Sequence, residues 1–269
     1  MSTTQIKLST YALGVEELSL ALGMINRPDL ARSLLHDIYP DITDHQMKAR
    51  LMSASNSLLA CNLCTLSEGT TPRISQELQM AIFPLAFYDY VLQLGLITRT
   101  DSKKIMIHVQ RGKRFSMHSS RQGVIHLLEH GNINVLLDKL MQYIPQYGRG
   151  EVGSEQGKVP QELIEKAGMN QDANDLEALL LQQGWKEKLA REFSIDLTKS
   201  ALLASFVRLD ANSQMTVDET RQSRTHSLIY LQGKKHNWLM EPSTDGSELG
   251  DAYQVSSQSF RNALSTLLE

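Results

Sequence analysis

The chain has 269 residues, 41% of them hydrophobic, which is enough to build a substantial core and excludes disorder over most of its length. Its 27 Lys and Arg stand against 30 Asp and Glu, a net charge of −3, so there is no global positive field of the kind that holds a nucleic-acid backbone. Met1 to Thr10 contains no basic segment leading into an apolar run, no stretch approaches the ~20 apolar residues of a membrane span, and two cysteines are too few for a disulfide framework. A cytoplasmic protein is expected, with no membrane insertion and no nucleic-acid partner.

Val15, Leu18, Leu22 and Ile25 recur at helical spacing, and Pro28-Asp29 opens a second helix carrying Leu30, Leu34, Leu35 and Ile38, which Pro40 ends. A third helix starts at a cap on Thr43 or Asp44 and runs through Met47, Leu51, Ala54, Leu58 and Leu59 towards Ser67-Glu68-Gly69. Ile74, Leu78, Ile82 and Phe83 predict a fourth, stopped by Pro84. Four helices are thus expected before any strand.

From Phe87 the pattern turns to β: Tyr88 to Ile97, then Lys104 to Gln110 alternating through Ile105, Ile107 and Val109, then a turn at Arg111-Gly112-Lys113 and a strand from Arg114 to His118. Ser119 or Ser120 is read as the cap of a helix from about Gly123 to His130, followed by a helical piece to about Tyr143. The glycine-rich stretch 148–158 is the best linker, dividing an N-terminal half, 1–147, from a C-terminal half, 159–269. Beyond it come helices around Leu163 and from Asp175 to Glu192, a strand from Ala201 to Leu209, a polar loop from Asp210 to Arg224, a hairpin turning at Gly233-Lys234-Lys235, and a helix from Ser257 to Leu268. Ile107, Val109 and Gln110 align with Ile229, Leu231 and Gln232, and Phe115 and Met117 with Trp238 and Met240. This predicts an α+β fold with an internal duplication.

The sharpest catalytic motif is His126-Leu127-Leu128-Glu129-His130, which has the spacing of inverted zinc peptidases. On a helix, two imidazoles one turn apart could share Zn²⁺ while Glu129 activates a metal-bound water. A zinc-dependent hydrolase is therefore the alternative function, although Gly131-Asn132-Ile133-Asn134 follows where the supporting motifs of that family would stand. Cys61-Asn62-Leu63-Cys64 lies at a leucine-rich helix end and is read as two buried thiols rather than a redox or zinc site. Asp210-Ala211-Asn212-Ser213-Gln214 imitates a calcium loop, but Met215 and Arg221 occupy the places of its glycine and closing glutamate. Between Ile74 and Leu85 there is not one Lys or Arg to read DNA, so a winged-helix reading is set aside. No phosphate loop or nucleophile elbow occurs, and no cofactor is expected.

Taken in order, Leu58-Leu59-Ala60, Leu66, Pro72-Arg73-Ile74 and Leu78 before the first strand, the hairpin and helix up to Leu140, Tyr143-Ile144-Pro145, Lys158-Val159-Pro160, and the closing unit Ile229 to Leu268 resemble the EspG family of cytosolic chaperones of ESX (type VII) secretion. The resemblance implies a central antiparallel sheet flanked by helical groups with pseudo-two-fold symmetry. It also implies a non-enzymatic chaperone or adaptor whose partner is a secreted helical protein client of the PE–PPE type. Gly233-Lys234-Lys235-His236 replaces the Gly-Arg-Tyr-like segment usual in that family, and the loop after Asp210 is the chain's own. Under this reading the client-binding residues are expected on the sheet face and hairpins, at Arg111, Lys113, Phe115, Lys234 and Trp238.

Overall fold

The computed structural model describes residues 9–66, 72–110, 114–144, 156–160, 172–211, 226–242 and 249–269. Twelve strands and eight helices are described. Ten of the strands form one antiparallel sheet in the order β1-β7-β6-β5-β4-β9-β10-β11-β12-β8, and β2 and β3 form a separate pair. The chain divides into two compact units: residues Met1–Val91 with Met106–Leu136, and Leu92–Ile105 with Leu137–Glu269.

In the first unit, β1 (Ser9–Gly14) precedes α1 (Val15–Met24), α2 (Pro28–Ile38) and α3 (Asp44–Ala60). The pair β2 (Cys64–Leu66) and β3 (Pro72–Ile74) then leads into α4 (Gln76–Ala86). The local chemistry explains these helices: Glu17 Oε2 accepts from Gly14 N at 2.7 Å, Pro28 begins α2, Thr43 Oγ1 accepts from Gln46 N, and Ser75 Oγ accepts from Leu78 N. β1 corrects the expectation of four helices before any strand. Its Tyr11 and Leu13 pair with Leu128 and His126, so cross-strand burial gives it order that six residues of weak pattern do not announce. α3 stops at Ala60, where Asn62 adopts φ 56° and turns the chain into β2. Pro84 lies inside α4, in its last turn, and the helix ends two residues later.

β4 (Tyr90–Ile97) and β5 (Ser102–Gln110) each span the division between the units, β6 (Arg114–Arg121) and β7 (Ile125–Gly131) belong to the first, and β7 is where the sequence reading fails most. Residues 125–131 are a strand, not the tail of a helix, and Ser119 and Ser120 belong to β6 rather than capping anything. Gln122 and Gly123, at φ 53° and 71°, make a tight reversal that brings β7 back antiparallel onto β6. A helix there would forfeit pairing with both β6 and β1. Leu13, Leu18, Leu22, Leu58, Leu78, Ile82 and Leu128 form the core, so α1, α3 and α4 cover the face of the strands that carries Leu13 and Leu128.

The second unit contains β8 (Gln156–Pro160), α6 (Ala173–Gln182), α7 (Glu187–Thr198), β9 (Leu202–Asp210), β10 (Ser227–Gln232), β11 (Asn237–Pro242), β12 (Leu249–Gln254) and α8 (Ser257–Leu268); α5 (Ile133–Tyr143) spans the division between the units. α6 and α7 pack Leu176, Leu180, Leu189, Phe193 and Leu197 with Val159, Leu231, Trp238 and Met240. Phe260 of α8 stacks with Phe206 and Tyr230, which alternation places on the opposite face. β8 takes up the end of the glycine-rich stretch: Gly157 is a strand residue because the Trp185 ring lies against its backbone where any Cβ would collide. The helix expected around Leu163 lies outside the described residues, and the single helix expected from Asp175 to Glu192 is two, broken at Gly184 with φ 86°.

The two halves of the sheet share one strand order, a meander with the first strand of that half added beyond its last strand: β4-β5-β6-β7-β1 and β9-β10-β11-β12-β8. The residues aligned in the sequence occupy matching ladder positions. Ile107 faces Met117 and Val109 faces Phe115, while Ile229 faces Met240 and Leu231 faces Trp238.

Candidate functional site

At the junction of α4 and β4 in the first unit the chain leaves aromatic surface uncovered. Phe87 and Tyr88 are each 37% exposed, and Phe83, half-buried, packs on Phe87 with ring centroids 4.7 Å apart. The Arg27 guanidinium sits over the Phe87 ring at 5.5 Å. It is fixed there by donating to Asp29 at 2.8 to 3.2 Å and to the Ala86 carbonyl. The same guanidinium holds the Asp29 carboxyl down to about 2, through its hydrogen bonds first and its charge second. Tyr88 meets the His108 ring edge-on at 5.2 Å. Asp89 N donates to Val109 O at 2.9 Å, which ties this junction to the end of β5, next to the start of β6 at exposed Arg114. The product is a rigid patch of two aromatics and a guanidinium, the residue types that dominate binding hot spots. Because each ring is already held by a neighbour, a partner docking here would lose little side-chain entropy.

In the second unit the β10–β11 turn is organised from beneath. Asp196, on α7 and 1% exposed, accepts from Lys235 N at 3.0 Å, His236 N at 3.2 Å, His236 Nδ1 at 3.2 Å and Trp238 Nε1 at 3.1 Å. Gly233 N closes the turn on His236 O at 3.0 Å, and Gly233 passes so close to the Asp196 carboxyl that a Cβ would overlap it. Lys234 and Lys235 stand exposed on top.

Of the residues expected to bind a client, Arg111 and Lys113 lie outside the described residues, and Lys234 is exposed. Phe115 and Trp238 are both 0% exposed. The Phe115 ring packs on Gly131, and Trp238 packs edge-on against Phe193 while its indole N–H anchors to Asp196. Both rings therefore hold core, and what they contribute to the surface is the shape of the hairpins they brace. The residues missed by sequence reasoning are Arg27, Phe87 and Tyr88. Their trace in the sequence is two consecutive aromatics where a helix gives way to a strand, a place at which a fully buried pair is hard to arrange.

The zinc reading depended on a helix that is not formed. On β7, His126 and His130 point to the same face but stand about 13 Å apart along the strand at ~3.3 Å per residue, and Glu129 points to the other face. His126 instead contacts His118 Nε2 through Nδ1 at 2.8 Å and Gly123 O through Nε2 at 3.0 Å. Burial pushes the imidazoles of both His108 and His118 down to about 4, with His118 and His126 respectively adding to the effect. Among the described residues no cluster of three or more metal-ligating side chains occurs. The two cysteines separate: Cys64 is buried on β2 with its thiol pushed up by desolvation, whereas Cys61, at the end of α3, is exposed, which corrects the reading of two buried thiols. Asp210 ends β9 in an ion pair with Arg208 at 3.2 Å, and residues 212–225 lie outside the described residues. No helix of the described residues is long and apolar enough to cross a membrane.

No protein-family model matches the chain, and no curated protein matches it by sequence. Among solved structures it is similar to the type VII secretion system chaperone EspG5 of Mycobacterium tuberculosis, determined in complex with a PE25–PPE41 dimer. The likeness covers 97% of this chain and 96% of that one at a TM-score of 0.60, with 9% sequence identity. A match of nearly both full lengths at so low an identity is a match of architecture, and it shows that this chain has the EspG fold.

Proposed function

We propose that the protein is a chaperone or adaptor that binds a helical secretion substrate in the cytoplasm before export, and that the Arg27–Phe87–Tyr88 patch is part of the surface that receives it. The observation that carries this reading is a preformed aromatic patch, more than a third exposed, on a fold of which one solved example is in complex with a PE25–PPE41 dimer. The work required is binding: apolar client surface must be covered by a complementary surface of the chaperone, with a polar rim to keep each partner soluble when apart. Arg111 and Lys113, which stand between β5 and β6 in the sequence, and Lys234 on the β10–β11 turn are further candidate client contacts, while Phe115 and Trp238 act through the hairpins they brace. The repeated strand order supports reading the two halves as copies of one module, of which the first half carries the aromatic patch.

The test is a titration of the full chain against a purified helical pair of the PE–PPE type, followed calorimetrically. The double substitution Phe87→Ala with Tyr88→Ala is expected to weaken binding by about 2 kcal/mol or more, the scale of a hot-spot loss, while thermal stability falls by less than about 1 kcal/mol. Binding that survives the double substitution unchanged would remove the patch from the reading. No binding by the wild-type chain would remove the client class.

A further inference from the structure

The paired histidines of the first unit, His126 buried and His118 half-buried, have no part in client binding as proposed, yet their geometry is specific. His126 Nε2 lies 3.0 Å from Gly123 O, and a carbonyl only accepts, so Nε2 of His126 carries a proton. In the neutral ring Nδ1 is then a bare lone pair. It lies 2.8 Å from Nε2 of His118, which must therefore be the donor. The two rings lie nearly parallel, 12° apart, with centroids separated by 5.1 Å. A relay results, from His118 Nε2–H to His126 Nδ1 and from His126 Nε2–H to the Gly123 carbonyl.

That carbonyl belongs to the β6–β7 turn, in which Gln122 and Gly123 both take positive φ and Val124 N closes on Arg121 O at 3.1 Å. The turn in turn receives the first residue of α1, since Val15 N donates to Val124 O at 2.9 Å. The side chain of Ile38 on α2 rests against Gly123. One imidazole pair thus secures a reversal on which the start of α1 and the end of α2 both lean.

We propose that the His118–His126 pair is an acid-opened latch on the β6–β7 turn. A first added proton can sit on His118 Nδ1 and leave the relay intact. A second must go to His126 Nδ1, where two N–H groups would face each other across 2.8 Å, and the rings have to part. His126 is 3% exposed, so parting means moving the turn. The charged and titratable groups on the surrounding elements are Lys103, Lys104 and His108 on β5, Arg114 and Arg121 on β6, Glu129 and His130 on β7, Tyr11 on β1, Glu16 and Glu17 on α1, Asp29, Arg32, His36 and Asp37 on α2, and Glu77 on α4. None of them offers the pair a carboxylate; the charge acting on His118 is that of His126, and His118 acts on His108. Acid therefore meets an uncompensated pair. The exposed Val124 and Ile125 side chains mark the surface that would swing outward.

The test uses the full chain, with imidazole nitrogen and amide exchange NMR between about pH 7 and about pH 5. The expected result is that His126 is the Nε2–H tautomer, that both rings stay neutral well below the ordinary imidazole range, and that protection of the Val15 and Val124 amides falls about tenfold or more over this interval after correction for intrinsic exchange. Amides of Phe193 and Leu180 in the second unit serve as the unchanged control. His118→Leu removes the opposing N–H and should flatten the pH dependence at Val15; should that variant fail to fold, the wild-type spectra decide alone. Independent titration of the two rings near their ordinary value, or protection at Val15 and Val124 that is constant with pH, would overturn the latch.

Discussion

Asp196 offers a quantitative test of how the second unit holds its hairpin. All four groups that reach its carboxylate are donors, and one of them differs from the other three in what replaces the bond when it is lost. The Lys235 and His236 groups are near the surface, where water can substitute, so each is worth about 1 kcal/mol. The Trp238 indole N–H is fully buried and would be stranded at about 1–3 kcal/mol. Asp196→Ala should therefore cost about 4–6 kcal/mol in urea unfolding, a large share of the ~5–15 kcal/mol typical of a whole protein. Asp196→Asn should cost about 2 kcal/mol, because an amide can present its oxygen to one side of the donor cluster only and sets its own N–H₂ against the other. Gly233→Ala makes the argument specific. The new Cβ would fall 2.3 Å from both Cβ and Cγ of Asp196, so a loss of about 1–3 kcal/mol is expected in the wild-type background and a smaller one after Asp196→Ala, which removes the carboxyl but keeps the Cβ. If Asp196→Ala unfolds within about 1 kcal/mol of wild type, or if the two substitutions simply add, the carboxylate is not what organises the turn.

Other consequences can be checked with simple measurements. With His108 and His118 held near 4 in the folded state against 6.5 when unfolded, the unfolded chain binds more protons between those values. Stability should thus be full above about pH 6.5 and fall as pH drops towards about 4, by up to about 3 kcal/mol per ring, with less than the sum because the rings interact. Urea midpoints flat between pH 7 and pH 4.5 would contradict this. A thiol reagent should modify Cys61 quickly in the native protein and Cys64 only on unfolding, and two fast thiols would place β2 wrongly. Gly157→Ala should destabilise by about 2 kcal/mol or more and alter tryptophan emission, since its Cβ would enter the Trp185 ring; a silent substitution would mean that ring is not seated there.

Those features divide into what a pattern of residues can announce and what only pairing decides. α2 and α3 were legible because Pro28 and the Thr43–Gln46 capping box mark their starts, and β5 because Ile105, Ile107 and Val109 alternate without interruption. The segment His126 to His130 contains two leucines and two histidines that fit either period, so its structure was settled by partners on both sides, β6 and β1, far from it in the sequence. β12 escaped for the same reason: Leu249 to Gln254 includes Gly250 and Asp251 and owes its order to β11 and β8. Gly157 reads as a linker glycine in sequence and is a packing glycine in the fold, a distinction that rests entirely on where Trp185 comes to lie.

The candidate site was the least legible part, for a physical reason that concerns Phe115 and Trp238 as much as Phe87 and Tyr88. A large aromatic in an alternating hairpin announces burial, and both hairpin rings are buried; what a partner would meet is an aromatic whose burial failed. Failure of burial is invisible in a period. It arises at the α4–β4 junction because Tyr90 and Ala86 on either side are committed to the core, which leaves Phe87 and Tyr88 facing outward, and because Arg27, just ahead of α2, covers one ring without enclosing it. Aromatics at a helix-to-strand joint between two buried residues are thus better candidates for recognition than aromatics within a strand, and in this chain the comparison can be made directly: replacing Phe115 should unfold the first unit, whereas replacing Phe87 should leave it folded and change only what it holds.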